Sequence, residues 1–286
     1  MSNSGVSPTD LLVRARSTLL DALEALRDHR GAVIVIGAQA VYLRTGGVDV
    51  ALAEATKDSD VAVDPRLLGD VPLLEDAMNR AGFTHDHSGQ PGAWLSKDGI
   101  PVDLMVPEAL AGGGRRGGHI PPHDSRATRR ARGLEAALVD CPIMAVAALD
   151  SMDGRRYLVR VAGSGALLVA KLHKLGERVA TPLRLNDKDA HDIYRILRAI
   201  ETEELEHAFA ILLSDELSAA VTHEALGYLE KLFGGGPESL GASMAGRAES
   251  GVGDPAQVAV SVSFLAEDLL TALSDRRGMG GVDKLT

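Results

Sequence analysis

The sequence predicts an α+β chain in which a small mixed-sheet domain is followed by a mainly α-helical C-terminal domain. Two patterns predict it. From residue 10 to residue 106 the order reads helix, strand, helix, strand, helix, strand, strand, an alternation that packs helices on a short sheet. From Ser164 onward, amphipathic helical patterns dominate. The 286 residues are enough for real cores in both parts. The expected divisions are an N-terminal helix at 1–30, a sheet-bearing core at 31–163, and a helical domain at 164–233. A flexible linker, a terminal helix and a tail complete the chain at 234–286.

The first helix is expected over Asp10–Asp28, capped by Ser7 or Thr9. "GAVIVIG" (31–37) is a β-branched run closed by glycine, a buried strand. "AQAVYLRTG" (38–46) reads as a helix and "DSDVAVD" as the second strand. "VPLLEDAMNRAG" (71–82) is a helix ended by Gly82. "AWLSKDG" and "IPVDLMV" form a strand pair around Asp98–Gly99, a hairpin dipeptide. Residues 111–133, rich in Gly, Arg and Pro, are expected to be a long mobile loop. The stretches "LEAALVDCPIMAVAAL" and "RRYLVRVAG" read as mixed or strand-like. Four helical patterns follow: "SGALLVAKLHKLGERV", "DKDAHDIYRILRAI", "TEELEHAFAILLS" and "HEALGYLEKLFG". Residues 234–254 read as a flexible Gly/Ser linker, and "PAQVAVSVSFLAEDLLTAL" as a closing helix.

Composition narrows the function. Hydrophobic residues make up 45% and aromatics only 3%, so the core is mostly Ala, Leu and Val. The single cysteine, Cys141, excludes an internal disulfide and fits a reducing, cytoplasmic compartment; its apolar surroundings read as a structural thiol. The first residues lack a basic stretch followed by an apolar one, so no signal peptide is expected. No uninterrupted apolar run of membrane-spanning length is seen, so no membrane partner is expected. Net charge is −10, which disfavours indiscriminate nucleic-acid binding. One segment runs against it: Arg115, Arg116, Arg126, Arg129, Arg130 and Arg132 lie within 22 residues of mostly uncharged sequence. That run is either a solvated loop or a phosphate-contacting one, with Arg126, Arg129 and Arg130 as candidate RNA contacts.

"TKDSDVAVD" (56–64) carries the chemistry. On a strand Asp58 and Asp60 share a face, where like charges repel. Either "KDSD" is a turn, or a divalent cation turns the two carboxylates into ligands. Asp103, in "IPVDLMVP", adds a lone carboxylate where a core strand would carry an apolar residue. A buried carboxylate needs a metal or a partner. Upstream, Gly37 closes a strand just before a helix N-terminus, whose free N–H groups and dipole suit a phosphate. His85 and His87 share a Gly-rich loop with no third ligand nearby, which argues against zinc.

The stretch "GAQAVYLRTG…TKDSDVAVD…VDLMVP" resembles the glycine-helix, Asp-x-Asp and third-Asp motifs of the DNA-polymerase-β-like nucleotidyltransferase superfamily. "LLVAKLHKLGER" and "RLNDKDAHDIYRIL" are similar to the Lys-bearing and Asp-bearing helices of AbiEii-type toxins of type IV toxin–antitoxin systems. The likeness covers roughly residues 31–200. It implies a Mg²⁺- or Mn²⁺-dependent enzyme that transfers NMP from an NTP to an acceptor hydroxyl, with tRNA as a possible acceptor and an antitoxin protein as partner. By it, Asp58, Asp60 and Asp103 would hold the metal, and Gly37, Ala38 and Thr56 would lie on the nucleotide. Lys171 rather than Lys174 would touch the triphosphate, and Asp189 would match the acidic residue after it, with Asp192 in competition. Ala38 stands where many members have Ser, leaving only its backbone N–H. The alternatives are a transferase acting on a small, antibiotic-like molecule, and a non-catalytic module of the same fold.

Overall fold

The computed structural model describes residues 8–46 and 58–280. The fold is α+β. Among the described residues the strands are β1 (Val33–Ile36), β2 (Ser59–Val63), β3 (Thr84–His85), β4 (Ala93–Leu95), β5 (Pro101–Pro107), β6 (Arg129–Ala131), β7 (Ile143–Ala147) and β8 (Arg156–Val161). They form one mixed sheet in the order β3-β4-β5-β2-β1-β8-β7, with β6 paired to β5. β1 is antiparallel to β2 and parallel to β8, while β2 and β5 run parallel. The central strands are largely buried on both faces, as the apolar runs Val33–Ile36 and Val61–Val63 require.

The α-helices among the described residues are α1 (Pro8–Ala25), α2 (Gly37–Thr45), α3 (Leu74–Arg80), α4 (Glu135–Val139), α5 (Ser164–Val179), α6 (Asp187–Ala199), α7 (Thr202–Ser214), α8 (Ala219–Phe233), α9 (Leu240–Ala248) and α10 (Pro255–Gly280). α1 and α3 pack together, with α1 also against β2 and β5. Helices α5 and α6 pack on each other and against α2. Two arginines fix α2: Arg44 donates to the Val161 and Ala162 carbonyls (2.8 and 3.0 Å), and Arg195 of α6 donates to Thr45 Oγ1 (2.8 Å).

The strand–helix order of the first hundred residues is as expected, including the antiparallel β4–β5 hairpin with Asp98–Gly99 in its turn. Its Trp94 is fully buried, donates to the Ala127 carbonyl (3.0 Å) and stacks on His85 at 3.9 Å. The first helix starts at Pro8 and ends at Ala25, short of Asp28.

Two expectations are corrected. Residues 111–133 are not a free loop. β6 pairs in parallel with β5, and Gly118 N–H donates to Thr128 (3.0 Å) and His119 N–H to Ala111 (2.7 Å). Main-chain bonds consume the polar groups that would otherwise need water. Nor is 234–254 a flexible linker. It contains α9, whose glycines permit close packing: a Cβ on Gly241 would lie 2.6 Å from the Phe233 ring. Composition suggested flexibility, whereas the absent side chains serve contact with the neighbouring helices.

Within α10, the 22-residue stretch Pro255–Arg276 is long and apolar enough to cross a membrane, with hydropathy 1.4. Ser261, Ser263, Glu267 and Asp268 interrupt it, so it is not an unbroken apolar run in the sequence. Its buried positions Val258, Val262, Ala266, Leu269 and Leu273 recur at helical spacing and pack on the helical domain. The helix continues to Gly280, and the rest of the expected tail lies outside the described residues.

Candidate active site

The site is built where β1 turns into α2. Ile36 is paired with Asp60 on β2, and Asp60 is paired in turn with Asp103 on β5. Directly paired residues point to the same face of a sheet, so the two carboxylates are neighbours. Ser59, facing the other way, donates to the Ala15 carbonyl of α1 (3.0 Å). Asp60 therefore faces α2 and α5. Gly37 has φ +66°, and a Cβ there would lie 2.0 Å from Asp60 Oδ2. Both constraints exclude a side chain: the carboxylate occupies the space above the α2 N-terminus.

The crowding has an electrostatic cost. Burial, then Asp58, push the Asp60 carboxyl up to about 6, against the relief given by Lys174 and Arg129. Asp58 stands two residues earlier, partly buried. Asp64, at the far end of the strand, is gripped by Arg66 at 2.9 Å through both oxygens and has no part in the site.

Asp103 has found the partner its burial demands. Arg129 of β6 donates to its Oδ2 from Nη2 at 2.9 Å and from Nε at 3.3 Å. Among the described residues no three His, Cys, Asp or Glu side chains form a ready-made metal cluster. Asp58, Asp60 and Asp103 thus share a neighbourhood without forming a preassembled cage. Two carboxylates still suit Mg²⁺, which is commonly held by one or two of them plus substrate phosphates.

A cleft of about 200 Å³ opens beside Asp60 and Gly37. Arg129, Lys174, Arg178 and Arg184 stand among seven basic side chains in its wall, against two acidic ones, Asp60 and Glu177. Burial pushes the Glu177 carboxyl up. Such an excess of donors suits a polyanion.

Helices α5 and α6 sort their ion pairs by depth. Lys171 is buried, 5% exposed, with its Nζ 2.5 Å from Asp192 Oδ2. Burial alone would lower this lysine's pKa, but Asp192, Asp189 and Asp60 outweigh it and hold it above the ordinary value. Asp189, buried as deeply as Asp192, takes the more exposed Lys174 at 2.9 Å and Arg178 at 2.5 Å. Burial would raise Asp189, yet Lys171, Lys174 and Arg178 together hold it below the usual carboxylate range. The Lys174 side chain is 41% exposed. Of the two acids in competition, Asp192 is the one paired with Lys171.

Of the other expected residues, Ala38 is buried in the first turn of α2. Thr56 lies outside the described residues. Arg126 is exposed. Arg130 donates to the Gly112 carbonyl at 2.6 Å and to Gly114, and Arg132 bridges Glu108 and Glu224. The sequence reading passed over Arg178 and dismissed Lys174, although their spacing of three and seven residues from Lys171 puts all three on one helix face.

No protein-family model and no curated protein matches the chain. Among solved structures it is similar to the crystal structure of a "putative nucleotidyltransferase from H. pylori", at 13% identity and a TM-score of 0.30, over 94% of this chain and 98% of that one. At that level of likeness the chemistry has to be read from the cleft itself.

Proposed function

We propose that the protein is a nucleotidyltransferase that moves NMP from an NTP to an acceptor hydroxyl. One observation carries this reading: an Asp60 carboxylate lies over a glycine-started helix N-terminus, at the mouth of a cleft walled by basic side chains. Asp58 and Asp60 would hold Mg²⁺, which supplies charge neutralisation at the phosphates. Lys174 and Arg178, partly exposed and anchored by Asp189, would reach the triphosphate. Lys171, paired deep with Asp192, would brace α5 against α6. In the transfer the acceptor oxygen forms a bond to the α-phosphorus, the bond to the β-phosphate oxygen breaks, and pyrophosphate leaves. The hydroxyl proton passes to a nearby carboxylate, with Asp103 a candidate. Positioning and charge stabilisation supply the rate.

The resemblance to AbiEii-type toxins supports tRNA or another cellular target as acceptor and an antitoxin as partner. A second reading, transfer to a small cationic molecule, is favoured by two features. Arg129, Arg130 and Arg132 are engaged with the protein itself, and the net charge is −10. The test is incubation with Mg²⁺ and each α-labelled NTP, with and without total RNA. Label on RNA supports the first acceptor, and label on an added aminoglycoside-like polyamine the second. Transfer should vanish in Asp60→Asn; undiminished transfer in that variant, or none by the wild-type protein with any substrate, overturns the reading.

A further inference from the structure

Asp103 and Arg129 form the most consequential contact outside the motifs. The carboxylate that would complete a three-acid site is the one already taken. Both guanidinium contacts converge on one oxygen, Oδ2. Arg129 lines the cleft and also bonds Asp103, so its guanidinium is within reach of both the carboxylate and an anion entering the cleft. Neither group is sealed in, with side-chain exposures of 28% and 19%. The pair is anchored on adjacent parallel strands, β5 and β6, whose register sets Arg129 beside Met105, two residues on from Asp103.

A guanidinium held this way has two competing anionic partners. One is the fixed carboxylate. The other is whatever anion enters a cleft where Lys174, Arg178 and Arg184 already concentrate positive charge. A polyphosphate there offers bidentate oxygens, which arginine matches well. When the guanidinium turns toward the phosphate, Asp103 is left without its counter-ion, beside Asp60 and Asp58. Asp60 and Asp103, paired across β2 and β5, are then two adjacent carboxylates that suit a cation.

We propose that Arg129 is a clasp that withholds Asp103 from divalent metal until a polyphosphate draws it away, so that nucleotide and metal bind with positive coupling. The inference rests on the transferase reading and adds an order of events to it. Before nucleotide arrives, Asp103 is neutralised by Arg129 and the metal site is incomplete. Once the triphosphate is seated, the same arginine neutralises phosphate and the third carboxylate becomes available. By linkage, metal must then tighten triphosphate binding by the same factor.

The test is calorimetric titration of the full chain with Mn²⁺ and with inorganic triphosphate, each alone and each in the presence of the other. The wild-type protein should show mutual enhancement of roughly tenfold. Arg129→Gln should bind Mn²⁺ alone more tightly, bind triphosphate alone more weakly, and lose most of the enhancement. Asp103→Asn breaks the clasp from the other side: it should bind triphosphate alone more tightly, because Arg129 is freed, and should also lose the enhancement. These opposite shifts in triphosphate affinity distinguish a clasp from general damage, and either variant suffices if the other does not fold. Wild-type coupling that persists unchanged in the variants overturns the clasp and leaves the transferase reading intact. A wild-type protein that binds neither probe overturns both.

Discussion

The two sets of ion pairs that join α5 to α6 differ in depth by one helical turn and in role by much more. Lys171 and Asp192 are 6% and 3% exposed and satisfy each other. Lys174 and Arg178 share Asp189 but keep 41% and 25% of their surface exposed. A buried pair cannot release its cation without leaving an unpaired charge in the core. Lys174 can leave Asp189, because its own head group is partly in water and Arg178 remains on the buried carboxylate. Depth, more than charge, separates a lysine that holds the fold from one that can serve a ligand.

Removing the deep cation gives the largest expected effect. Lys171→Ala strands Asp192 in the core and should cost about 3–5 kcal/mol in urea unfolding. A loss below about 1 kcal/mol would erase the distinction between the two pairs. Lys174→Ala should do the opposite. Its stability cost should stay within about 1 kcal/mol, while affinity for inorganic triphosphate should fall by about 1.5–3 kcal/mol, the range of a hydrogen bond to a charged group. Titration of the two variants side by side is decisive, and a reversal of their profiles would return Lys171 to the substrate.

Asp60 lies between these extremes, partly buried, with Lys174 and Arg129 relieving its charge only in part. Its folded carboxyl, at about 6, sits above the unfolded value near 4. The folded state therefore keeps a proton that the unfolded chain has released. The resulting stabilisation is complete below about pH 4 and is lost as pH rises through about 6. The melting temperature of the metal-free protein should decline over that window, and Asp60→Asn should flatten the decline. An identical slope in the variant would mean that the carboxyl is not strained.

The smallest effect concerns the arginine segment, where the same rule applies. Arg129, Arg130 and Arg132 are bonded to other groups of the protein, whereas Arg115, Arg116 and Arg126 are exposed. If RNA is bound, each exposed arginine changed to Gln should flatten the slope of log affinity on log salt by roughly 0.7–0.9. Unchanged slopes would favour the small-molecule acceptor.

Much of this was legible in the sequence because local signals and tertiary need agreed. A β-branched run predicted β1, Asp98–Gly99 predicted the hairpin, and amphipathic patterns predicted α5 to α8. Asp103 declared itself as a misfit among Val102, Leu104 and Met105 that needed a partner. Its partner was not legible, because Arg129 reaches it through a pairing between strands 26 residues apart. The sequence also could not show which of two acids, one turn apart on α6, meets Lys171. That depends on how α5 and α6 are rotated against each other. The glycines of 234–254 misled for a related reason: composition reports the freedom of an isolated chain, and packing removes it.

The chain has one tryptophan, and its position gives the protein a built-in optical probe. Trp94 is paired with Val102, one residue from Asp103, and its indole N–H is bonded to the carbonyl of Ala127, two residues before Arg129. Its emission should therefore be blue-shifted in the native state and report on both strands that carry the Asp103–Arg129 contact, without any label. The stacked His85 adds a pH-dependent quencher. Burial keeps that imidazole below its ordinary value, so it is neutral and weakly quenching at pH 7, and fluorescence should dim only on acidification.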